Sequence, residues 1–76
     1  MVQVIAVEPV DGGWALRQAC VDNPQLFASG AKAEDAARRL GARLSNAGTA
    51  AEIRIYLRDG SLAGRFLCTP EWLRAG

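Results

Sequence analysis

Three stretches rich in hydrophobic residues, each bounded by turn-forming residues, lie in the first part of the chain, which is the pattern of strands. The first stretch, residues 2–8, is rich in Val and Ile and ends before Pro9. The second, residues 14–21, follows a glycine-rich turn at residues 11–13, and the third spans residues 25–29. The pattern therefore predicts three strands before the period changes.

The middle of the chain has a helical period. Apolar residues recur at intervals of three and four between residues 32 and 47, which predicts a helix with one buried stripe. The stripe consists of Ala33, Ala36, Ala37, Leu40, Gly41, Leu44 and Ala47. Because most of these side chains are small, the helix can lie close to a sheet. Gly48 suits the position after the helix, where φ is usually positive, and either Ala31 or Ser29 is the N-cap.

Asp59-Gly60 separates two further alternating runs, residues 52–57 and 62–67. In that setting Asp-Gly favours a hairpin with a two-residue type I′ turn, in which both central residues have positive φ. The turn sets the register of the two strands. The predicted pairs are Leu57 with Leu62, Tyr56 with Ala63, Ile55 with Gly64, Arg54 with Arg65 and Ile53 with Phe66.

The predicted element order is β-β-β-α-β-β. This indicates an α+β fold, with one antiparallel sheet and a single helix packed on one face. The 76 residues form one small domain, 1–76. In the tail, residues 69–76, Thr69 as N-cap and Pro70 after it predict one helical turn.

Three motifs stand out: Asp-Gly-Gly-Trp-Ala-Leu at residues 11–16, an acidic helix start at residues 31–38, and the Asp-Gly hairpin at residues 53–62. Together they resemble the small bacterial family called domain of unknown function 2188. That resemblance implies this fold and no established activity, so it brings no catalytic residues. The first two motifs are also similar to antitoxins of the HicAB toxin–antitoxin type, which implies a regulator that binds a partner protein.

Composition places the chain among ordinary globular proteins, with 50% hydrophobic and 22% charged residues. The net charge of +1 creates no global attraction to nucleic acid or membrane. No run approaches the roughly 18 apolar residues of a membrane span, and no basic region opens the chain, so we expect a cytoplasmic protein. Cys20 and Cys68 are interpreted as reduced strand residues, and whether they are close in space is left open.

The sequence does not supply the residues of a catalytic site. There is no histidine, which removes the commonest general base and metal ligand. Two cysteines alone make a poor zinc site. The neighbouring carboxylates Glu34 and Asp35 each precede an arginine by four residues, which indicates ion pairs on a helix surface. We predict no enzyme activity, no metal and no cofactor.

The hairpin register gathers three arginines around a tyrosine on the sheet face opposite the helix, and Arg17 of the second strand joins them because it alternates with Trp14 and Leu16. The candidate ligand or partner face consists of Arg17, Arg54, Tyr56, Arg58 and Arg65. Like charges directly opposite each other destabilise a sheet, so the Arg54–Arg65 pair requires a carboxylate, such as Glu52 or Glu8, or an anionic ligand. Such a face suits single-stranded nucleic acid, but it also suits a solvated face or a dimer face.

A single short helix cannot cover a five-stranded sheet. The apolar surface and strand edge that it leaves open favour self-association. We expect a homodimer through strand one or the last strand, with Val4, Trp14 and Leu67 as candidate interface residues. The predicted function is a small non-catalytic interaction module. The alternatives are a nucleic-acid-binding module and an antitoxin-like regulator of a partner protein.

Overall fold

A computed structural model describes residues 2–19 and 21–70. These residues form five strands and one helix in the predicted order, which confirms the α+β fold with the helix across one sheet. The elements are β1 (Gln3–Val10), β2 (Gly13–Gln18), β3 (Gln25–Phe27), α1 (Gly30–Asn46), β4 (Ala51–Tyr56) and β5 (Leu62–Cys68). Cys20 and residues 71–76, most of the predicted helical tail, lie outside the described residues.

The described strands form one sheet in the order β3-β2-β1-β4-β5. Neighbouring strands are antiparallel except β1 and β4, which are parallel, so the prediction of a wholly antiparallel sheet was wrong. The reason lies in the helix. It returns the chain from the far end of β3 across the sheet, so β4 starts at the same end as β1 and β3. A parallel pair requires such a crossover, whereas short turns join the other pairs.

β1 extends through Pro9, where the sequence predicted its end. Pro9 pairs with Trp14 of β2, but the ladder between β1 and β4 stops at Val7. Pro9 therefore has a strand on one side only, a position that tolerates a residue without an N–H group.

The core lies between the sheet and the small-residue stripe of α1. Ala33, Ala37 and Gly41 are the buried residues of the helix. They pack on the buried strand residues Ile5, Val7, Leu16, Ala51 and Ile53. A Cβ atom on Gly41 would lie 2.7 Å from the Sγ atom of Cys68, so the helix is as close to the sheet as glycine permits. The predicted buried stripe is confirmed at these three helix positions.

α1 begins at Gly30, two residues before the predicted helix start at residue 32, because Ser29 is its N-cap. The Lys32 N–H group donates a hydrogen bond of 3.2 Å to the Ser29 hydroxyl oxygen. Ala31 therefore lies inside the first turn. At the other end Ala47 is the C-cap, and Gly48 has a φ of 95°, as predicted. This helix is neither long enough nor apolar enough to span a membrane, and the described part of the chain contains no other helix.

The turn between β4 and β5 differs from the predicted type I′. Gly60 has the expected positive φ, 87°, but Asp59 does not, because no described residue other than glycine has a positive φ. The Gly60 N–H donates to the Leu57 carbonyl at 3.0 Å, and the Leu57 N–H donates to the Ser61 carbonyl at 2.9 Å. These bonds close a three-residue loop, in which a type I turn is followed by a left-handed glycine.

The longer loop changes the register near the turn, and a β-bulge restores it. Tyr56 pairs with Leu62 instead of Ala63, whereas Ile55 pairs with Gly64 as predicted. The irregularity between these pairs leaves Ala63 as the extra residue on β5. Leu62 consequently pairs with Tyr56 and shares its face, so the predicted pair of Leu62 with Leu57 was wrong.

Asp59 holds this turn through its carboxylate. The Ser61 hydroxyl and the Ser61 backbone N–H donate to Asp59 Oδ1 at 2.6 and 2.9 Å. These bonds, the hydroxyl first, lower the pKa of Asp59 below its ordinary value of 3.8. A carboxyl group with a lowered pKa in the folded state stabilises the fold above its ordinary pKa. That contribution is lost as the pH falls through the lowered value, so the turn weakens only in acid.

We expect Gly60→Val to lower the free energy of unfolding by at least about 1 kcal/mol, because a β-branched residue resists positive φ. A Cβ at Gly60 would meet no atom within 4 Å, so the loss would come from the backbone alone. Thermal and urea unfolding measure it. Gly60→Asn is the matched control, since asparagine tolerates the left-handed region. An unchanged Tm for Gly60→Val would contradict the assigned turn.

We expect Ser29→Ala to lower the free energy of unfolding by about 0.5–2 kcal/mol, because it removes the capping acceptor. Ala31→Thr should be near neutral, since its hydroxyl would enter a helix that is already capped. Melting curves of the two variants form a matched pair. Stabilisation by Ala31→Thr together with a neutral Ser29→Ala would place the cap at Ala31 instead.

Candidate functional site

The sheet face away from α1 carries most of the predicted arginines, and we call it the open face. Its principal residues are Val4, Ala6, Glu8, Arg17, Leu26, Glu52, Arg54, Tyr56, Leu62, Arg65 and Leu67. Ala6 pairs with Arg17 on one side and with Arg54 on the other, and Arg54 pairs with Arg65. The three arginines therefore lie in one row across the sheet.

Glu52 supplies the carboxylate that the Arg54–Arg65 pair requires. Its side chain is only 12% exposed, it accepts a hydrogen bond from Arg54 Nε, and its Oε1 lies 3.6 Å from Arg65 Nε. The hydrogen bond to Glu52, followed by that to Tyr56, raises the pKa of Arg54. The sequence left two explanations for the opposed arginines, a carboxylate of the chain itself or an anionic ligand. The structure provides the carboxylate.

Arg17, at the other end of the row, has a carboxylate of its own. Arg17 Nε donates to Glu8 Oε1 on the neighbouring strand β1. The Arg17 side chain is 50% exposed and that of Glu8 is 35% exposed, so water screens this pair and its stabilisation is at most about 1 kcal/mol. Its main effect is to neutralise charge on the open face.

Tyr56 and Arg58 lie at the end of the open face beside the β4–β5 turn. Arg58 is in the turn itself and outside the arginine row. With Glu8 and Gly60, these two residues line a shallow depression of about 340 Å³. Arg58 is exposed and forms no ion pair with any described residue, so it is the least constrained of the predicted arginines.

Two of the three candidate interface residues lie together on the open face. Val4 pairs with Glu52, and Glu52 pairs with Leu67, so these form the row beside the arginines. Leu67 is 59% exposed. Trp14 lies on the helix side, packed on the core, and a Cβ on Gly30 would be 2.9 Å from its indole. The helix start therefore covers Trp14, and we leave it out of the interface.

The sequence interpretation missed a groove of about 590 Å³ between α1 and strands β2 and β3. Its helix wall carries Lys32, Arg39 and Arg43, and the spacing of seven and four residues between them was the available signal. The rest of its lining includes Gln18, Gln25, Asp35, Ala36 and Leu40. Arg39 Nη2 lies 2.8 Å from Asp35 Oδ2, and all three cations are exposed, so this is an open, solvated groove.

The acidic side chains of the open face lie beside arginines. Across residues 2–19 and 21–70, no three His, Cys, Asp or Glu side chains come together as metal ligands. The open-face carboxylates are engaged by guanidinium groups, which stay protonated in proteins. This face presents three arginines and two carboxylates beside exposed leucines.

We expect Glu52→Gln to lower the free energy of unfolding by about 1–2 kcal/mol, because two opposed arginines lose the negative charge between them. Added salt should reduce this loss by screening the repulsion. Unfolding titrations at two salt concentrations measure both effects. Glu8→Gln, which removes the more exposed carboxylate, is the control and should cost less. Equal losses from the two variants would contradict the role of Glu52.

Comparisons with known proteins give no match for this chain, whether with family models, curated proteins or solved structures. The resemblances to domain of unknown function 2188 and to HicAB-type antitoxins stay predictions based on the motifs quoted above. The geometry of the open face and of the sheet edges is therefore the evidence from which a function has to be argued.

Proposed function

We propose that this chain is a small non-catalytic interaction module that forms a homodimer through the free edge of β5. The observation that carries this proposal is the edge itself. β5 is seven residues long, it is the outermost strand of the described sheet, and its Leu62 and Leu67 are 49% and 59% exposed. An edge strand presents unpaired N–H and C=O groups, which a second strand can bind.

The two edges of the described sheet differ in their protection. β3, at the opposite edge, has only three residues, which is one common way to prevent edge pairing. β5 contains no proline and no lysine, and its one charged residue, Arg65, lies beside Glu52 of its own chain. The bulge at Ala63 protects only the end near the turn. β5 is therefore the edge better suited to pair with another copy.

Apolar surface next to this edge adds to the argument. Leu67 projects from β5 on the open face, and Phe66, 37% exposed, projects on the helix side. A strand added to β5 would cover parts of both side chains. Burial of apolar area contributes roughly 25 cal/mol per Å², and it adds to the main-chain hydrogen bonds of the new ladder.

The nucleic-acid alternative has weaker support, because its arginines are engaged within the chain. Arg17 and Arg54 are bound to Glu8 and Glu52, and the chain as a whole has a net charge of only +1. A nucleic-acid footprint needs clustered, available cations. The antitoxin-like alternative rests on the motif resemblance alone.

We expect light scattering at high micromolar concentration to give twice the chain mass of 8.1 kDa. Leu67→Lys should convert the dimer to monomer, because a charge on an edge strand opposes pairing. Leu26→Lys is the matched control. Leu26 is also on the open face and is 71% exposed, but it lies on β3, so its replacement should leave the dimer intact.

A mass of 8.1 kDa for the unaltered chain would overturn the homodimer. Loss of the dimer in Leu26→Lys but not in Leu67→Lys would move the interface to β3. The nucleic-acid alternative is tested with single-stranded RNA at about 50 mM salt, where phosphate contacts are strong. Binding that is abolished when Arg54, Arg58 and Arg65 are all replaced by serine would favour this alternative. Co-purification with a small basic protein would favour the antitoxin-like regulator.

A further inference from the structure

The hydrogen bonds of the hairpin show which main-chain groups of β5 point to the free edge. The Leu57 N–H is bonded to Ser61, and along an antiparallel pair bonded and non-bonded positions alternate. β4 has no bulge, so the alternation can be followed back from Leu57 along this strand. Ile53 is then a position whose main chain is hydrogen-bonded to β5, and its two neighbours are not. Phe66, the partner of Ile53, therefore turns its N–H and C=O toward β4.

The residues on either side of Phe66 have the opposite orientation. Arg65 and Leu67 pair with non-bonded positions of β4, so their N–H and C=O groups face outward from the sheet. Any strand that joins this edge has to bond to these two residues. The bulge at Ala63 interrupts the alternation nearer the turn, which leaves residues 64–68 as the regular part of the edge.

Two-fold symmetry limits how this segment can pair with its own copy. In an isologous antiparallel pair, every contact between two different residues occurs twice. The two-fold axis then lies between one residue and the same residue of the second copy. An axis at Arg65 would set Arg65 against its own copy, which is an unfavourable like-charge pair, and would bring the bulge into the ladder. An axis at Leu67 would run the ladder beyond Cys68, where β5 ends.

We propose that a second copy of this chain pairs antiparallel with β5 about a two-fold axis at Phe66. This inference rests on the homodimer proposed above and specifies its register. The axis lies at the centre of the regular segment 64–68, so the full segment takes part. The two five-stranded sheets become one continuous sheet with both helices on the same face.

This register matches the side chains on both faces. On the open face Arg65 lies opposite Leu67 of the second copy, so the arginine stem covers the exposed leucine while its guanidinium stays 3.6 Å from Glu52. On the helix side the two Phe66 rings meet in a close, non-bonded pair. The Arg38 guanidinium stands 4.1 Å above each ring centre and covers it from the helix.

Cysteine cross-linking tests the register directly, in a chain whose own cysteines are replaced by Cys20→Ser and Cys68→Ser. Partners in a non-bonded antiparallel pair have Cα atoms about 4.5 Å apart, within the range for a disulfide. Phe66→Cys should therefore form a covalent dimer rapidly under mild oxidation. Arg65→Cys and Leu67→Cys alone should react at least about tenfold more slowly, because residues diagonal to each other are about 7–8 Å apart. Equal amounts of these two variants mixed together should cross-link rapidly.

The mixture keeps Phe66 in both chains, so it tests the register even if Phe66→Cys weakens the dimer. The Phe66 axis would be overturned if Leu67→Cys alone cross-linked rapidly while the mixture of Arg65→Cys and Leu67→Cys cross-linked slowly. Light scattering distinguishes failure of the register from failure of the homodimer itself. A dimer with the wrong cross-links overturns the register and leaves the homodimer, whereas a monomeric parent chain overturns both.

Discussion

The small-residue stripe of α1 packs against the middle strands of the sheet, and this contact determines both the depth of the core and the path of the chain. Gly41 brings the helix so close that a Cβ there would meet the Cys68 sulfur at 2.7 Å. At that distance the alanines of the stripe close over Ile5, Val7 and Ile53, which are fully buried. Deletion of volume or insertion of methylenes would both be felt in so thin a layer. The same helix also makes the crossover that sets β4 parallel to β1.

The described helix covers one side of the sheet. On the other side, arginines pair with carboxylates of the same strand or of a neighbouring strand. Glu52, 12% exposed, lies between Arg54 and Arg65, and Glu8 pairs with Arg17. Each pair contributes little energy by itself at a surface. Together they reduce the repulsion that a row of three arginines would otherwise create, and exposed leucines lie at the margins of this face.

The small conformational difference at the hairpin turn has a consequence at the edge of the sheet. Since Asp59 keeps a negative φ, the loop takes three residues and the strands meet one position out of the predicted register. The bulge at Ala63 absorbs that difference and restores the pairing deeper in the hairpin. It also divides β5 into an irregular end and a regular segment centred on Phe66. Local turn chemistry thus determines how much of this edge another strand can bind.

The element order, the buried stripe of α1, the positive φ of Gly48 and Gly60, and the Arg54–Arg65 pair could all be predicted from the residue pattern. These features depend on the spacing of hydrophobic residues and on the residues of the turns. Both are local, because they involve residues only a few positions apart in the sequence. The residue pattern did not predict the parallel β1–β4 pair, the face of Trp14 or the bulge, and it did not choose Glu52 over Glu8 as the carboxylate between the arginines. Parallel pairing depends on where a helix delivers the chain, and loops that differ by one residue have similar local energies. Packing between segments far apart in sequence is what makes the choice.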